Sequence, residues 1–201
     1  MKLLIGVDGS PASFEAVRMA ARLIDPACDQ VSIYFSPAEL HAGVVSKGAG
    51  VVDGVVTALF AEARGLLPLN DDAIVVISSS RHAAVGILEA AAGTKADLVV
   101  VGARGTGALK RLLLGSVSRA VVHGATIPVL VARGPAPPAD RLRVMVCHKD
   151  ASTAAVAGFA QQVQWPAVTE GRVIGVTESL LAGPLPEWLE RRALPIGFCD
   201  A

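Results

Sequence analysis

Short, mostly apolar runs alternate with helix-forming segments through the first 132 residues, and this alternation restricts the fold more than any other feature of the sequence. Such runs are typical of strands buried on both faces of a sheet. Strands that alternate with helices form a parallel sheet through right-handed crossovers, with helices on both faces. The sequence therefore predicts a doubly wound α/β domain. Its strands are expected at residues 3–7, 31–35, 73–78, 98–101 and 128–132.

Helix start signals lie between these runs. Ser10 is a suitable N-cap and Pro11 a suitable first residue for the first helix. The serines at 78–80 are expected to cap the third helix, in which Val85 and Leu88 are expected to face the core. The predicted helices occupy residues 11–24, 53–67, 82–92 and a segment from residue 116 onward, with a loop at 38–52.

Three glycines and a serine form a spaced motif after the fourth strand. The motif is Gly102-x2-Gly105-x9-Gly115-Ser116. Glycine lets backbone N–H groups come close to a ligand, and a helix N-terminus offers unpaired N–H donors. The hydroxyls of Ser116 and Ser118 are expected to add donors. The order of strand, glycine loop and helix therefore predicts an anion site, most simply for a phosphate chain, although it matches neither a P-loop nor a dinucleotide fingerprint.

This motif resembles the ATP-binding motif of the universal stress protein family, and residues 1–134 resemble a complete domain of that family. The resemblance also rests on Val7-Asp8-Gly9-Ser10 near the start, on residues 96–102 and on residues 127–132. It implies a flavodoxin-like domain with strand order 3-2-1-4-5 that is usually a dimer.

The resemblance also implies how a nucleotide would be held. Asp8 would lie near adenine and ribose, although the residue pattern alone equally allows a turn or helix-capping aspartate. Ser36 would contact adenine through its backbone, and Arg104 would either touch phosphate or be solvated. Mg²⁺ or Mn²⁺, where present, would be held mainly by the phosphates, and no protein metal ligand is predicted. The nucleotide-binding residues are thus expected to be Asp8, Ser10, Ser36, Gly102, Arg104, Gly105, Gly115, Ser116, Val117 and Ser118.

A proline-rich stretch separates this domain from a partial repeat of its opening. Residues 143–159 align with residues 3–19, and a second strand follows, which predicts a β-α-β half repeat. His148 stands at the place of Asp8 and no second glycine motif exists, so the half repeat is not expected to bind nucleotide. The predicted organisation is a domain at 1–134, a linker at 135–140 and a partial second repeat at 141–201.

The charge balance and the positions of the cysteines and histidines restrict the classes of function that the chain could have. Eighteen basic residues balance eighteen acidic ones, which gives no support for a nucleic-acid or membrane-surface partner. Three widely separated cysteines fit a reducing cytoplasm, and neither a signal peptide nor a membrane span is expected. None of the four histidines shows metal-ligand spacing or a nucleophile elbow nearby.

The predicted function is that of a cytoplasmic, ATP-binding regulatory protein of the stress-response type. It would act as a homodimer through nucleotide-dependent conformation or through an unidentified protein partner. A slow nucleotide hydrolase of the adenine-binding α/β class is one alternative, and a scaffold with an empty site is another. At most a weak ATPase is expected, because no general base is evident beside the expected phosphates.

Overall fold

The computed structural model describes residues 1–37, 49–104, 114–134, 141–149 and 153–176. The chain divides into two compact units, Met1–Ala136 and Pro137–Ala201. Predictions for the linker at 135–140 and for the chain after residue 176 lie outside the described residues.

A five-stranded parallel sheet forms the centre of the first unit, with the order β3-β2-β1-β4-β5 that the resemblance implied. The strands are β1 (Lys2–Val7), β2 (Gln30–Phe35), β3 (Ile74–Ser78), β4 (Leu98–Gly102) and β5 (Val129–Ala132). The helices are α1 (Pro11–Ala21), α2 (Ala49–Gly65), α3 (Ala83–Thr94) and α4 (Ser116–Gly124), with a 3₁₀ turn at Asp71–Ala73. The predicted fold class is confirmed.

The helices cover both faces of this sheet. On one face, Tyr34 of β2 and Val99 of β4 form a buried cluster with Ile87 of α3 and Val121 of α4. Successive side chains of a strand point to opposite faces. The ring of Phe35, the neighbour of Tyr34, accordingly meets Phe60 of α2 edge-on on the other face, where α1 also lies against β1 and β4.

Helix α1 begins where the sequence indicates. Ser10 is its N-cap and accepts a hydrogen bond from the Ser13 N–H at 3.2 Å, and Pro11 is the first helical residue. The helix ends at Ala21, three residues before the predicted end at residue 24. Arg22 is the C-cap, and its N–H donates to the carbonyls of Met19 and Ala20.

Two predictions for α3 are wrong. Its N-cap is His82, which makes no side-chain capping bond, because the Ser79 hydroxyl instead accepts from the Arg81 N–H at 3.2 Å. Val85 is 47% exposed, whereas Leu88 is partly buried. The buried residues of α3 are Ala83, Ala84, Gly86, Ile87 and Ala91.

A single contact explains this orientation of α3. The side chain of Tyr34 is 1% exposed, and a Cβ on Gly86 would lie only 1.7 Å from its hydroxyl oxygen. The residue of α3 that faces Tyr34 must therefore lack a side chain. Placing Gly86 there turns Val85 outward.

Helix α2 starts at Ala49, four residues earlier than predicted. The loop predicted at 38–52 includes Gly50, but an isolated glycine is tolerated in a helix at a cost of about 1 kcal/mol relative to alanine. The remainder of the predicted loop, residues 38–48, lies outside the described residues.

The second unit contains the predicted β-α-β order. It consists of β6 (Arg141–Lys149), α5 (Thr153–Gln162) and β7 (Val168–Val176). The two strands pair in parallel, with Arg141 opposite Val168 and Lys149 opposite Val176. After α5, the indole N–H of Trp165 donates to the Ala160 carbonyl at 2.7 Å.

Candidate functional site

Several of the predicted site residues lie at the carboxyl edge of the first sheet. Asp8 follows β1, Ser36 follows β2 and Arg104 follows β4 by two residues. Because β1 pairs with both β2 and β4, these three strand ends are neighbours. Ligands of open parallel sheets bind at this edge. The fold therefore brings together residues that are far apart in the sequence.

The turn after β1 supplies the hydrogen bonds that cap the N-terminus of α1. A carboxylate oxygen of Asp8 accepts from the Ser10 N–H at 2.9 Å, and Gly9 adopts the left-handed conformation with φ at 79°. The Ser10 hydroxyl caps Ser13, and the Ser13 hydroxyl donates to the Ser10 carbonyl at 2.9 Å. Ser10, which is only 4% exposed, thus acts as a cap, and Asp8 has the turn role that the residue pattern allowed.

Ser36 connects the end of β2 to the loop that follows β3. Its hydroxyl donates to the Arg81 carbonyl at 2.6 Å, and its side chain is buried. The Ser79 N–H also bonds to the Phe35 carbonyl at 3.3 Å. The loop before α3 is therefore held beside the end of β2.

Gly102 has a packing role that sequence analysis missed. A Cβ at this position would lie 2.6 Å from the Ala12 carbonyl oxygen and 2.7 Å from the Ala12 carbonyl carbon. These atoms belong to the backbone of the first turn of α1. The absence of a side chain at Gly102 therefore allows α1 to lie close to β4.

Helix α4 begins without a side-chain cap. Its N-cap is Gly115, and its first internal bond runs from the Arg119 N–H to the Gly115 carbonyl at 3.0 Å. The N–H groups of Ser116, Val117 and Ser118 precede this bond, and the first N–H groups of a helix have no partner within the helix. N–H groups at the start of a helix are a ready site for an anion.

Two of the expected donors are already used within the protein. The Gly115 N–H donates to the Ala103 carbonyl at 2.7 Å. The Ser118 hydroxyl donates to the Gly102 carbonyl at 2.6 Å, and Ser118 is 4% exposed. The Ser118 hydroxyl therefore lies on the sheet side of α4 and is engaged within the protein, whereas Ser116 is exposed, and the ligand contact of the Ser118 hydroxyl stays a prediction.

The charge at the start of α4 favours an anion. The first turn of α4 contains no acidic residue, and Arg119 follows it at an exposed position. Arg104, at the end of β4, is also exposed. Gly105, the middle glycine of the motif, lies outside the described residues.

Other features of the described ranges do not add to the site. Among these residues, no group of three or more His, Cys, Asp or Glu side chains could hold a metal ion. A cleft of about 190 Å³ lies at the opposite sheet edge, where Lys95, Val99 and Ile127 are among its lining residues, and it contains no predicted site residue. No helix in the described part of the chain has both the length and the apolar character that crossing a membrane requires.

Comparisons with known proteins agree with this fold. A family model described as the universal stress protein family matches residues 1–133. Universal stress protein MJ0531 of Methanocaldococcus jannaschii is 31% identical over 140 residues, which cover 67% of this chain and 82% of that protein. A universal stress protein from Thermus aquaticus is 56% identical over 50 residues, which cover 25% of this chain and 36% of the relative.

The solved structure of hypothetical protein MJ0577 has a TM-score of 0.50 and 18% identity, over 68% of this chain and 97% of that one. At this identity the likeness concerns the fold alone. The chain spans half or less of several relatives that it matches, including 48% of one from Mycolicibacterium smegmatis.

Proposed function

The chain belongs to the universal stress protein family, and on this premise we propose that its first unit binds an adenine nucleotide, ATP foremost, at the carboxyl edge of β1 and β4. The observation that carries the proposal is the start of α4. Three successive N–H groups there, at residues 116–118, precede the first internal helix bond, and the N-cap is a glycine without a capping side chain.

The phosphates would lie over this helix start. A helix N-terminus carries the positive end of the helix dipole and unpaired donors, which together bind phosphate. Ser116 is exposed and can add its hydroxyl to these donors. The exposed guanidinium of Arg104, two residues after β4, would either touch a phosphate or be solvated. Mg²⁺ or Mn²⁺ would be held by the phosphates themselves.

The nucleoside would lie toward the ends of β1 and β2. A carboxylate beside phosphates would be repelled, whereas it accepts hydrogen bonds from ribose hydroxyls or the adenine amine. Asp8 is therefore assigned to the nucleoside end, and the backbone after β2, at Ser36, to adenine. In this arrangement Ser10 and Gly102 support the site by fixing α1 and β4.

We propose a regulatory binding module. The motif lacks the lysine that a P-loop places directly after its glycines. Nucleotide binding would change the conformation of the first unit, and a homodimer or another protein partner would respond to that state. The spacing of the cysteines supports a cytoplasmic location.

The proposed domain division is residues 1–134, a linker at 135–140 and a partial second repeat at 141–201. All expected ligand-binding residues precede the linker. Residues 141–201 contain no glycine motif, and His148 replaces the aspartate. Nucleotide binding is accordingly assigned to the first unit alone.

Titration calorimetry with ATP on Gly115→Val tests the phosphate assignment. The φ of −68° and ψ of 165° at Gly115 suit valine, so the backbone is expected to keep its conformation while the side chain blocks the approach of phosphate. Gly93→Val in α3 is the matched control, because a Cβ at Gly93 meets no atom within 4 Å. Loss of ATP binding in Gly115→Val alone supports the proposal, and equal affinity in both variants refutes it.

Asp8→Asn tests the nucleoside end. Asparagine keeps an acceptor for the Ser10 N–H but removes the negative charge. A hydrogen bond to a charged group contributes about 1.5–3 kcal/mol, so ATP and adenosine should both bind roughly ten- to a hundredfold more weakly. Tighter binding of ATP by this variant would instead place the carboxylate beside the phosphates.

A further inference from the structure

We propose that Ser118 is a positioning residue, which fixes the start of α4 in its anion-binding orientation before a nucleotide arrives. The inference rests on the proposed function and extends it to a residue whose hydroxyl does not touch the ligand. The Ser118 hydroxyl donates to the Gly102 carbonyl at 2.6 Å. The Gly115 N–H donates to the Ala103 carbonyl at 2.7 Å.

These two hydrogen bonds form a clamp between the first turn of α4 and the end of β4. They bond to two successive carbonyls, at the last residue of β4 and the residue after it, from positions on both sides of residues 116 and 117. Residues 116 and 117 therefore lie between two fixed points, Gly115 and Ser118. The clamp sets the direction in which their N–H groups point.

The strand end that receives the clamp is itself held on two sides. Gly102 pairs with Ala132 of β5, and the Ala103 N–H donates to the Ala132 carbonyl at 2.7 Å. On one sheet face Gly102 also lies against the backbone of Ala12 and Ser13 in α1. Two elements, β5 and α1, thus support the point to which α4 is anchored. The start of α4 is accordingly attached to a rigid part of the sheet.

The number of protons that the Ser118 hydroxyl can donate distinguishes a positioning role from direct contact with the ligand. A serine hydroxyl has one proton to donate. In Ser118 that proton is directed to the Gly102 carbonyl, and the side chain is 4% exposed. The same hydroxyl cannot also donate to phosphate. Its contribution to affinity is therefore preorganisation, which lowers the ordering cost of binding.

The experiment compares Ser118→Ala, Ser118→Cys and Ser118→Thr in the full chain by two measurements. The first is hydrogen exchange of the Gly115 amide, followed by NMR without ligand. The second is calorimetry with ATP and with adenosine. Cysteine keeps the size of serine but donates weakly, and it provides a folded test protein if alanine unfolds the chain. Thr94→Ala is the control, since it removes a similar bond, from the Thr94 hydroxyl to the Ala90 carbonyl at 2.8 Å, away from the site.

In Ser118→Ala and Ser118→Cys, the Gly115 amide should exchange about three- to tenfold faster without ligand, the effect of losing one ordinary hydrogen bond. ATP should bind weaker by a similar factor and adenosine with unchanged affinity, while threonine should restore both properties. Reduced ATP affinity with unchanged Gly115 exchange would indicate direct contact and overturn the inference, as would no change in either measurement. If the wild type bound no nucleotide, the proposed function would fail, whereas Gly115 exchange would still decide whether the clamp exists.

Discussion

Replacement of Gly102 by alanine distinguishes a packing role from a ligand-binding role at this glycine. The added Cβ would lie 2.6 Å and 2.7 Å from the carbonyl oxygen and carbon of Ala12, and 3.0 Å from the Ser13 nitrogen. All three are backbone atoms in the first turn of α1, so they cannot move aside as a flexible side chain would. We therefore expect α1 to be displaced from β4 even when no nucleotide is present.

The size of the effect follows from this geometry. Overpacking of a buried site costs about 1–3 kcal/mol, and backbone neighbours place Gly102→Ala in the upper part of that range. With a urea m-value of about 1–3 kcal/mol per molar, the unfolding midpoint should fall by roughly 1 M or more. Domains are typically stable by about 5–15 kcal/mol, so the variant should still be folded in buffer.

Urea unfolding of the ligand-free chain, followed by circular dichroism, measures this difference. Gly93→Ala is the control, because a Cβ there meets no atom within 4 Å and alanine is favoured in a helix by about 0.5–1 kcal/mol. It should unfold at the same or a higher urea concentration than the wild type. If Gly102→Ala unfolds together with the wild type, the packing argument is wrong and Gly102 serves the ligand alone.

Two further predictions concern stability. The Tyr34 hydroxyl is buried and, among the described residues, lacks a hydrogen-bond partner. Tyr34→Phe removes this hydroxyl and should therefore raise the free energy of unfolding by about 1–3 kcal/mol. A lower urea midpoint in this variant would show that the hydroxyl is satisfied in solution. The Asp29 carboxylate bonds to the α-amino group of Met1 and thereby raises the pKa of that amine above its ordinary value of 8.0. This pair stabilises the fold fully below about pH 8, and the contribution is lost as the pH rises through the raised pKa. Urea titrations between pH 7 and 10 should show a decline in wild-type stability that is absent from Asp29→Asn; parallel pH profiles would contradict this assignment.

The positions of the strands could be predicted from the sequence because they depend on simple patterns, whereas the strand order was implied only by the resemblance to the family. Buried parallel strands form short apolar runs, and the runs at β1 and β4 end abruptly at Asp8 and Gly102. The N-cap of α1 is also a local signal, since Ser10 and Pro11 suffice to predict it. Each of these features depends on residues that are adjacent in the chain.

The orientation of α3 could not be predicted in the same way. Its residues are small or apolar on nearly every side, so hydrophobic periodicity does not select one buried face. The choice is made by Tyr34, which lies in another strand and leaves room only for Gly86. Such a contact depends on the three-dimensional arrangement and has no local sequence signal.

For a related reason, the sequence alone could not show the roles that Gly102 and Ser118 have in the structure. Glycine permits close approach of either a ligand or a neighbouring helix, and a serine hydroxyl bonds equally well to phosphate or to a carbonyl. Sequence spacing indicated that both residues belong near the site. Only the structure shows that Gly102 accommodates α1 and that Ser118 bonds to the strand.

The hydrogen bond from the Gly115 N–H to the Ala103 carbonyl also joins the two residues that flank the segment 104–114. For a chain segment with joined ends, the entropic cost of closure grows only slowly with length, by about 0.6 kcal/mol for each doubling. Inserted residues in this segment would therefore change the stability of the first unit little. The stability of the scaffold therefore does not fix the nine-residue interval between Gly105 and Gly115, and ligand binding is free to set its length.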